Sequence, residues 1–158
     1  MKKQDKTNVM RILDQRKVQY ESHYYTETDA VSGIDVATVM GQNPDQVFKT
    51  LVTIGKTGQY YVFVVPVSRD LDLRKAAAAV GEKSIAMIKA KELLPLTGYI
   101  HGGCSPIGMK KAFPTVIDSR ASLQPTIIFS GGKIGYQVEL TLEELGKVLS
   151  FQLEDLSN

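Results

Sequence analysis

The sequence predicts an α+β fold, and three observations carry that reading. Short apolar stretches fall in neighbouring pairs joined by glycine turns, as antiparallel hairpins require. Short helical segments with their own caps are scattered among these pairs instead of following every strand, which argues against a strictly alternating doubly wound sheet. A tract at 97–113 is rich in glycine and has neither period, and long irregular loops inside a folded domain are more often functional than accidental. At 158 residues the chain suits one domain spanning 1–158, long enough to bury roughly two thirds of its unfolded surface without metal or disulfide staples.

The elements follow in order. Thr7 caps a predicted helix over 7–16, because Val9, Met10, Ile12 and Leu13 share one face. Residues 20–25 alternate as a strand. Ser32-Gly33-Ile34-Asp35 has capping-box spacing and opens a short helix that stops at Gly41. After the turn Asn43-Pro44-Asp45, strands at 47–54 and 60–66 are joined by Gly55-Lys56-Thr57-Gly58, a hairpin signal. Asp72 caps a helix over 73–80 whose four consecutive alanines favour helix and allow close packing, and Gly81 ends it. A short strand at 84–87 precedes a helical turn at 90–94 that Pro95 should end, since proline biases its predecessor away from helix. Beyond the irregular tract come strands at 115–118, 126–130 and 134–140, the last two set at hairpin spacing by Gly131-Gly132. Thr141-Leu142-Glu143-Glu144 starts a final helix through 149, and 151–156 adds an edge strand.

Composition narrows the function. The 43% hydrophobic and 23% charged fractions are those of an ordinary soluble protein, and no apolar run approaches the ~18 residues of a membrane helix. The start of the chain, Met1-Lys2-Lys3-Gln4-Asp5-Lys6, is basic, but the amphipathic pattern behind it is not a signal-peptide core, so a cytoplasmic location is expected. Cys104 is the only cysteine, which excludes an intrachain disulfide and agrees with a reducing compartment. With 19 lysines and arginines against 17 acidic residues there is no global positive field, so any nucleic-acid partner must be met over a small footprint.

The residue that stands out is Lys49, in the middle of the apolar run Val47-Phe48-Lys49-Thr50-Leu51-Val52-Thr53-Ile54. Strand side chains alternate, so Lys49 projects with Val47, Leu51 and Thr53, where an ammonium is costly unless it reaches solvent or meets an anion. Edge lysines that discourage sheet aggregation are the ordinary explanation. Thr50 points to the other face, so the two line one surface only if the strand bends or Thr50 acts through its backbone. The turns Gly102-Gly103-Cys104-Ser105-Pro106-Ile107-Gly108 and Ser130-Gly131-Gly132-Lys133 can offer bare N–H groups to the same anion, a phosphate or an ester. Other motifs fail. Gly55-Lys56-Thr57 lacks the earlier glycine of a phosphate-binding P-loop, since Thr50 stands there, and a strand follows where a helix is needed. Gly131-Gly132-Lys133-Ile134-Gly135 misses dinucleotide spacing and by itself reads as a tight turn. Cys104, His101 and His23 are too few and badly spaced for a metal, and a cysteine beside two glycines is more often a small packed residue than a nucleophile.

Val47-Phe48-Lys49-Thr50-Leu51, the Lys75-Ala76-Ala77 helix, Gly98-Tyr99-Ile100-His101-Gly102-Gly103-Cys104-Ser105-Pro106-Ile107-Gly108 and Ser130-Gly131-Gly132-Lys133 together resemble the YbaK/EbsC family of aminoacyl-tRNA deacylases, related to the editing domain of bacterial prolyl-tRNA synthetases. The resemblance covers nearly the whole chain. It implies a mixed, partly closed, barrel-like sheet flanked by helices, and deacylation of misacylated tRNA, most typically Cys-tRNA(Pro) and secondarily Cys-tRNA(Cys), with no cofactor. Its implied partners are the tRNA acceptor end and prolyl-tRNA synthetase. Carried over residue by residue, Lys49 matches the essential lysine, Thr50 its neighbour and Tyr25 an aromatic at the pocket mouth. Gly102 and Gly103 match the backbone loop near the substrate, and Ser130, Gly131 and Gly132 the hairpin turn. Val31-Ser32-Gly33 departs from the pattern, where a bulky aromatic is expected, and leaves the amino acid cleared open. The rival expectation is a non-catalytic module that holds a nucleotide or an oligonucleotide end in the same cleft.

Overall fold

In a computed structural model, residues 5–158 are described; residues 1–4 of the basic N-terminal stretch lie outside them. Helix α1 (Asn8–Gln15) is capped by the Thr7 hydroxyl, which accepts from Met10 N at 3.2 Å, and buries Val9, Met10 and Leu13. Strand β1 (Glu21–Tyr24) and helix α2 (Gly33–Met40) follow. Ser32 caps α2 through Asp35 N, and Gly41 ends it in the left-handed region at φ 65°, which a residue without Cβ adopts freely. The expected hairpin forms from β2 (Phe48–Gly55) and β3 (Tyr60–Pro66), which pair antiparallel with Phe48 opposite Pro66 and Ile54 opposite Tyr60. Helix α3 (Leu73–Val80), with Asp72 accepting from two first-turn N–H groups, strand β4 (Ile85–Met87) and helix α4 (Ala90–Thr97) come next. Strands β5 (Thr115–Asp118), β6 (Ile127–Ser130) and β7 (Tyr136–Leu140), helix α5 (Leu142–Leu145) and strand β8 (Gln152–Glu154) complete the chain, with a 3₁₀ turn over Ser119–Leu123 that the sequence did not announce.

The strands make two sheets, one ordered β4-β2-β3-β5-β8 and one ordered β1-β7-β6. The larger is mixed, since β5 runs parallel to both β3 and β8. The α+β class therefore holds, but the sheets do not close into a barrel: they touch at one parallel bridge, Val47 to Ile128, where Ile128 N donates to Gln46 O at 3.0 Å. Between them lies the main core. Phe48, Val52, Val62, Val64 and Ile117 of the larger sheet meet Phe129, Val138 and Leu140 of the smaller, closed at one side by α1. The other face of the larger sheet packs Tyr61, Phe63, Val65 and Val116 against Ala76 and Ala77 of α3, whose small side chains let the helix sit close.

Three local expectations change. Helix α4 continues through Pro95, because beyond it the Thr97 hydroxyl donates to Leu93 O at 2.7 Å and Gly98 N to Leu94 O at 2.8 Å, so only one backbone bond is forfeited. The β6–β7 connection is not a two-residue turn at Gly131-Gly132; it runs to Gly135, with Gly131 N donating to Tyr136 O at 2.8 Å and positive φ at Gly132 and Gly135. Helix α5 stops at Leu145, ahead of Gly146, instead of reaching 149.

Candidate active site

The antiparallel register sets the site. Gly55 N donates to Gln59 O and Val67 N to Val47 O, each at 2.8 Å, so odd-numbered residues of β2 exchange backbone bonds with β3 and even-numbered ones aim theirs at the opposite edge. On that edge β4 pairs only with residues 53–55, and β6 touches only at Val47. Between the two contacts the edge of β2 is bare around Thr50.

A cavity of about 320 Å³ wraps this edge. Phe48, Lys49, Thr50 and Leu51 line it in succession, with Phe129 and Ser130 of β6. Lys49 and Thr50 share a site although they leave opposite faces of the strand, because the cavity embraces an edge and not a face. Lys49 is half-buried, 32% exposed, and its nearest carboxylate is the fully solvated Asp70 at 3.8 Å, a pairing that contributes little. The Thr50 hydroxyl is buried without a hydrogen-bond partner in the structure. Such groups are rare in native proteins and mark places where a ligand or water completes the bonding.

The glycine segments supply the remaining wall. Gly102 lines the cavity at φ 87°, and a Cβ there would meet Val31 Cγ1 at 2.8 Å, so the loop needs glycine for both conformation and space. The Ser130 hydroxyl accepts from Gly132 N at 3.1 Å, folding the turn back on itself. Tyr25, nearly buried, also lines the cavity, and its N–H donates to Gly135 O at 2.8 Å, tying β1 to that turn. Lys49, Thr50, Tyr25, Gly102 and Ser130 are thus gathered in one place, while Gly103, Gly131 and Gly132 are not on the wall. Gly103 is buried against the backbone of Lys133 and Ile134, and Gly131 against that of Tyr136. Gly132 faces a different cavity.

Other residues of the wall had no place among the expected site residues. Gln137, 3% exposed, lines the cavity and exchanges side-chain amide bonds with Gln42 at 2.8 and 3.2 Å. Strand alternation puts Gln137 on the face of Glu139, opposite the core residues Val138 and Leu140, so nothing in the sequence marked it as a wall residue. Val31, Ser32, Gly33 and Ile34 bring the start of α2 to the cavity, so the wall where an aromatic was expected is aliphatic. His101 and Cys104 also line it. Burial pushes the Cys104 thiol up to about 12, so it carries no thiolate near neutral pH.

Among the described residues, no aspartate or glutamate lines the cavity and none of its hydroxyls is hydrogen-bonded to a histidine, so this wall offers no carboxylate base and no activated serine. What it offers is a cation, a free hydroxyl and strand and loop backbone. Elsewhere, Glu21, His23 and Glu139 bring three ligand atoms within 4.8 Å of one another on the β1–β7 pair. There His23 Nε2 is bonded to Glu139 Oε1 at 2.7 Å, and Glu139 also accepts from Thr126. Those two partners outweigh burial and hold the Glu139 carboxyl below its usual range.

Comparison with known proteins bears on this arrangement. Among solved structures, a proposed trans-editing enzyme for prolyl tRNA synthetase superposes with a TM-score of 0.80 at 25% identity, covering 98% of this chain and 99% of that one. The hypothetical protein APE2540 superposes with a TM-score of 0.87 at 20% identity, which speaks for the fold alone. Among curated proteins, EbsC of Enterococcus faecalis, proposed by name to be a Cys-tRNA(Pro)/Cys-tRNA(Cys) deacylase, is 42% identical over 99% of this chain and 96% of its own length. The proline–tRNA ligase of Thermosipho melanesiensis is 26% identical over 77% of this chain, which matches only 20% of the ligase. A family model, the aminoacyl-tRNA editing domain, matches residues 28–148 and so takes in β2, the glycine-rich loop and the hairpin turn around the cavity. With that match over most of its length, the chain belongs to the aminoacyl-tRNA editing domain family.

Proposed function

We propose that this chain is a trans-editing deacylase that clears cysteine from mischarged tRNA, Cys-tRNA(Pro) foremost, acting as a single domain in the cytoplasm. The observation that carries the reading is the convergence of Lys49, the unpartnered Thr50 hydroxyl and the Gly102 loop on one cavity beside a bare strand edge. Such a site binds an ester and its ribose by charge and backbone donors, with Lys49 against a ribose or phosphate oxygen and N–H groups of the loops receiving the oxyanion as the ester opens. The cavity volume lies within the ~300–1,000 Å³ range of small-ligand sites.

With no carboxylate base and no activated serine or cysteine on the wall, the substrate's own thiol is taken as the attacking group in preference to a positioned water. The cysteinyl thiol adds to its own ester carbonyl, the carbon–oxygen bond to the ribose breaks, and the thiol proton goes to the departing ribose hydroxyl, leaving a cyclic thioester and free tRNA. Held in place, such an intramolecular attack gains ~7–11 kcal/mol from proximity and orientation. The need is physical: a synthetase pocket shaped for proline rejects a slightly smaller amino acid by only about 1–3 kcal/mol, so a second site must remove the errors. Docking on prolyl-tRNA synthetase fits a protein whose near-neutral charge gives it little tRNA affinity of its own.

Catalytic amounts of protein incubated with Cys-, Ala- and Ser-tRNA(Pro) in parallel test the reading. Multiple turnovers on the cysteinyl ester, with the seryl ester slow because a hydroxyl attacks poorly, are expected. Stoichiometric binding without ester loss on all three would replace the deacylase by a module that only holds the acceptor end.

A further inference from the structure

The turn after β6 has two sides. Ser130 lines the cavity described above, whereas Gly132 and Lys133 line a second one, of about 340 Å³, shared with Thr7 and Asn8 at the start of α1 and with Lys110. Among the described residues, two lysines and no acidic residue border it. Neither ammonium has a carboxylate within 4.0 Å among the described residues, and both are exposed. Their backbones are fixed: Lys110 N donates to Thr97 O at 2.9 Å, and Lys133 O accepts from Tyr136 N at 3.1 Å. The turn lies directly against α1, since a Cβ on Gly132 would meet Val9 Cγ2 at 3.0 Å. No acidic residue occupies the first turn of α1, so the helix adds charge of the same sign.

The second cavity is also close to the first. Ser130 and Gly132 are two residues apart, a span of at most about 7 Å. A strand whose acylated terminal ribose sits in the first cavity must leave it through its 5′-phosphate, and the cationic cavity lies within that reach. We propose that this cavity holds the backbone phosphates of the acceptor strand that precede the terminal adenosine, with Lys110 and Lys133 as their counter-charges; the assignment rests on the deacylase reading above.

Binding of an uncharged acceptor-end RNA hairpin, followed by fluorescence anisotropy across salt concentrations, tests this without turnover. Lys110→Gln and Lys133→Gln should each make the log–log salt slope shallower by about 0.7, and the double variant by about twice that. Lys56→Gln, on the β2–β3 turn, should leave it unchanged. An unchanged slope in the double variant, or an equal change in Lys56→Gln, overturns the proposal. Deacylation of 3′-O-cysteinyl adenosine, which has no phosphate, should be the same in parent and double variant while KM for Cys-tRNA(Pro) rises about tenfold or more; a loss on the phosphate-free ester would put the lysines in the catalytic cavity and also overturn it. A parent protein that turns over neither ester counts against the deacylase reading alone, and the salt slope still decides the dock.

Discussion

Two threonines three residues apart on β2 meet opposite fates. Thr53 is fully buried where the strand is paired on both sides, with β3 and β4, and its hydroxyl donates to Tyr61 O at 3.1 Å. Thr50 buries its hydroxyl where β4 has ended, with no partner, beside Lys49 and its distant exposed carboxylate. The closed end of the strand satisfies every polar group it buries; the open end leaves polarity unmet and encloses a cavity. Satisfied polarity holds the fold together, and unsatisfied polarity is what a ligand can use.

The largest test of that contrast is Lys49→Ala. Removing the one lysine that lines the cavity among the described residues should cut deacylation of Cys-tRNA(Pro) by about 10²–10³-fold, as loss of a group that meets developing charge does, with the thermal midpoint nearly unmoved because its only ion pair among those residues is with exposed Asp70. Parent-level turnover would remove Lys49 from the chemistry. Gly102→Ala should come next, destabilising by about 1–2 kcal/mol for a left-handed residue with a Cβ and displacing Val31 at the cavity wall, read as a lower denaturant midpoint together with at least a tenfold loss of rate.

The threonine pair gives the cleanest division. Thr53→Val should cost up to about 1 kcal/mol of stability, since it removes the hydroxyl's bond to a Tyr61 carbonyl that keeps its backbone partner across the β2–β3 ladder, and leave activity intact. Thr50→Val should leave stability equal or higher and slow deacylation about tenfold, or ~1.4 kcal/mol of barrier. Swapped outcomes would show that the open end is structural after all. Smallest is Cys104→Ala, expected to keep activity within about twofold under the substrate-thiol mechanism. It should matter only in alkali. With the folded thiol raised to about 12 from an ordinary 9.0, the unfolded chain releases its proton first, so the parent loses stability as pH rises above 9.0 by more than the variant does, while the Tyr20 and Tyr99 hydroxyls, likewise raised by burial, destabilise both. Alkaline denaturation midpoints of the two proteins check this.

Much of the fold was legible because its signals are local. Thr7, Ser32, Asp72 and Thr141 all cap the helices their spacing announced, and each does so through N–H groups no more than three residues away. The β2–β3 hairpin followed from two apolar runs on either side of one glycine turn. The errors fell where hydrogen bonds that residue preference does not reveal overrule it. Pro95 did not end α4 because Thr97 and Gly98, just after it, donate to the Leu93 and Leu94 carbonyls just before it. The Gly131-Gly132 pair did not make a tight turn because the longer loop folds back to Tyr136 and packs on the Gly103 segment.

The amino-acid sequence by itself determined that Lys49 would be an unusual cation in an apolar strand and that two glycine segments would keep their backbones bare, since these properties belong to residue type and spacing. Only the tertiary structure decided that they meet. The early end of β4 and the single contact with β6 expose one edge of β2, and an edge is reached by side chains from both faces. For that reason Lys49 and Thr50 share a cavity that alternation alone would have denied them, and Gln137, brought in by the β1–β7–β6 sheet, joins them from a strand almost ninety residues away.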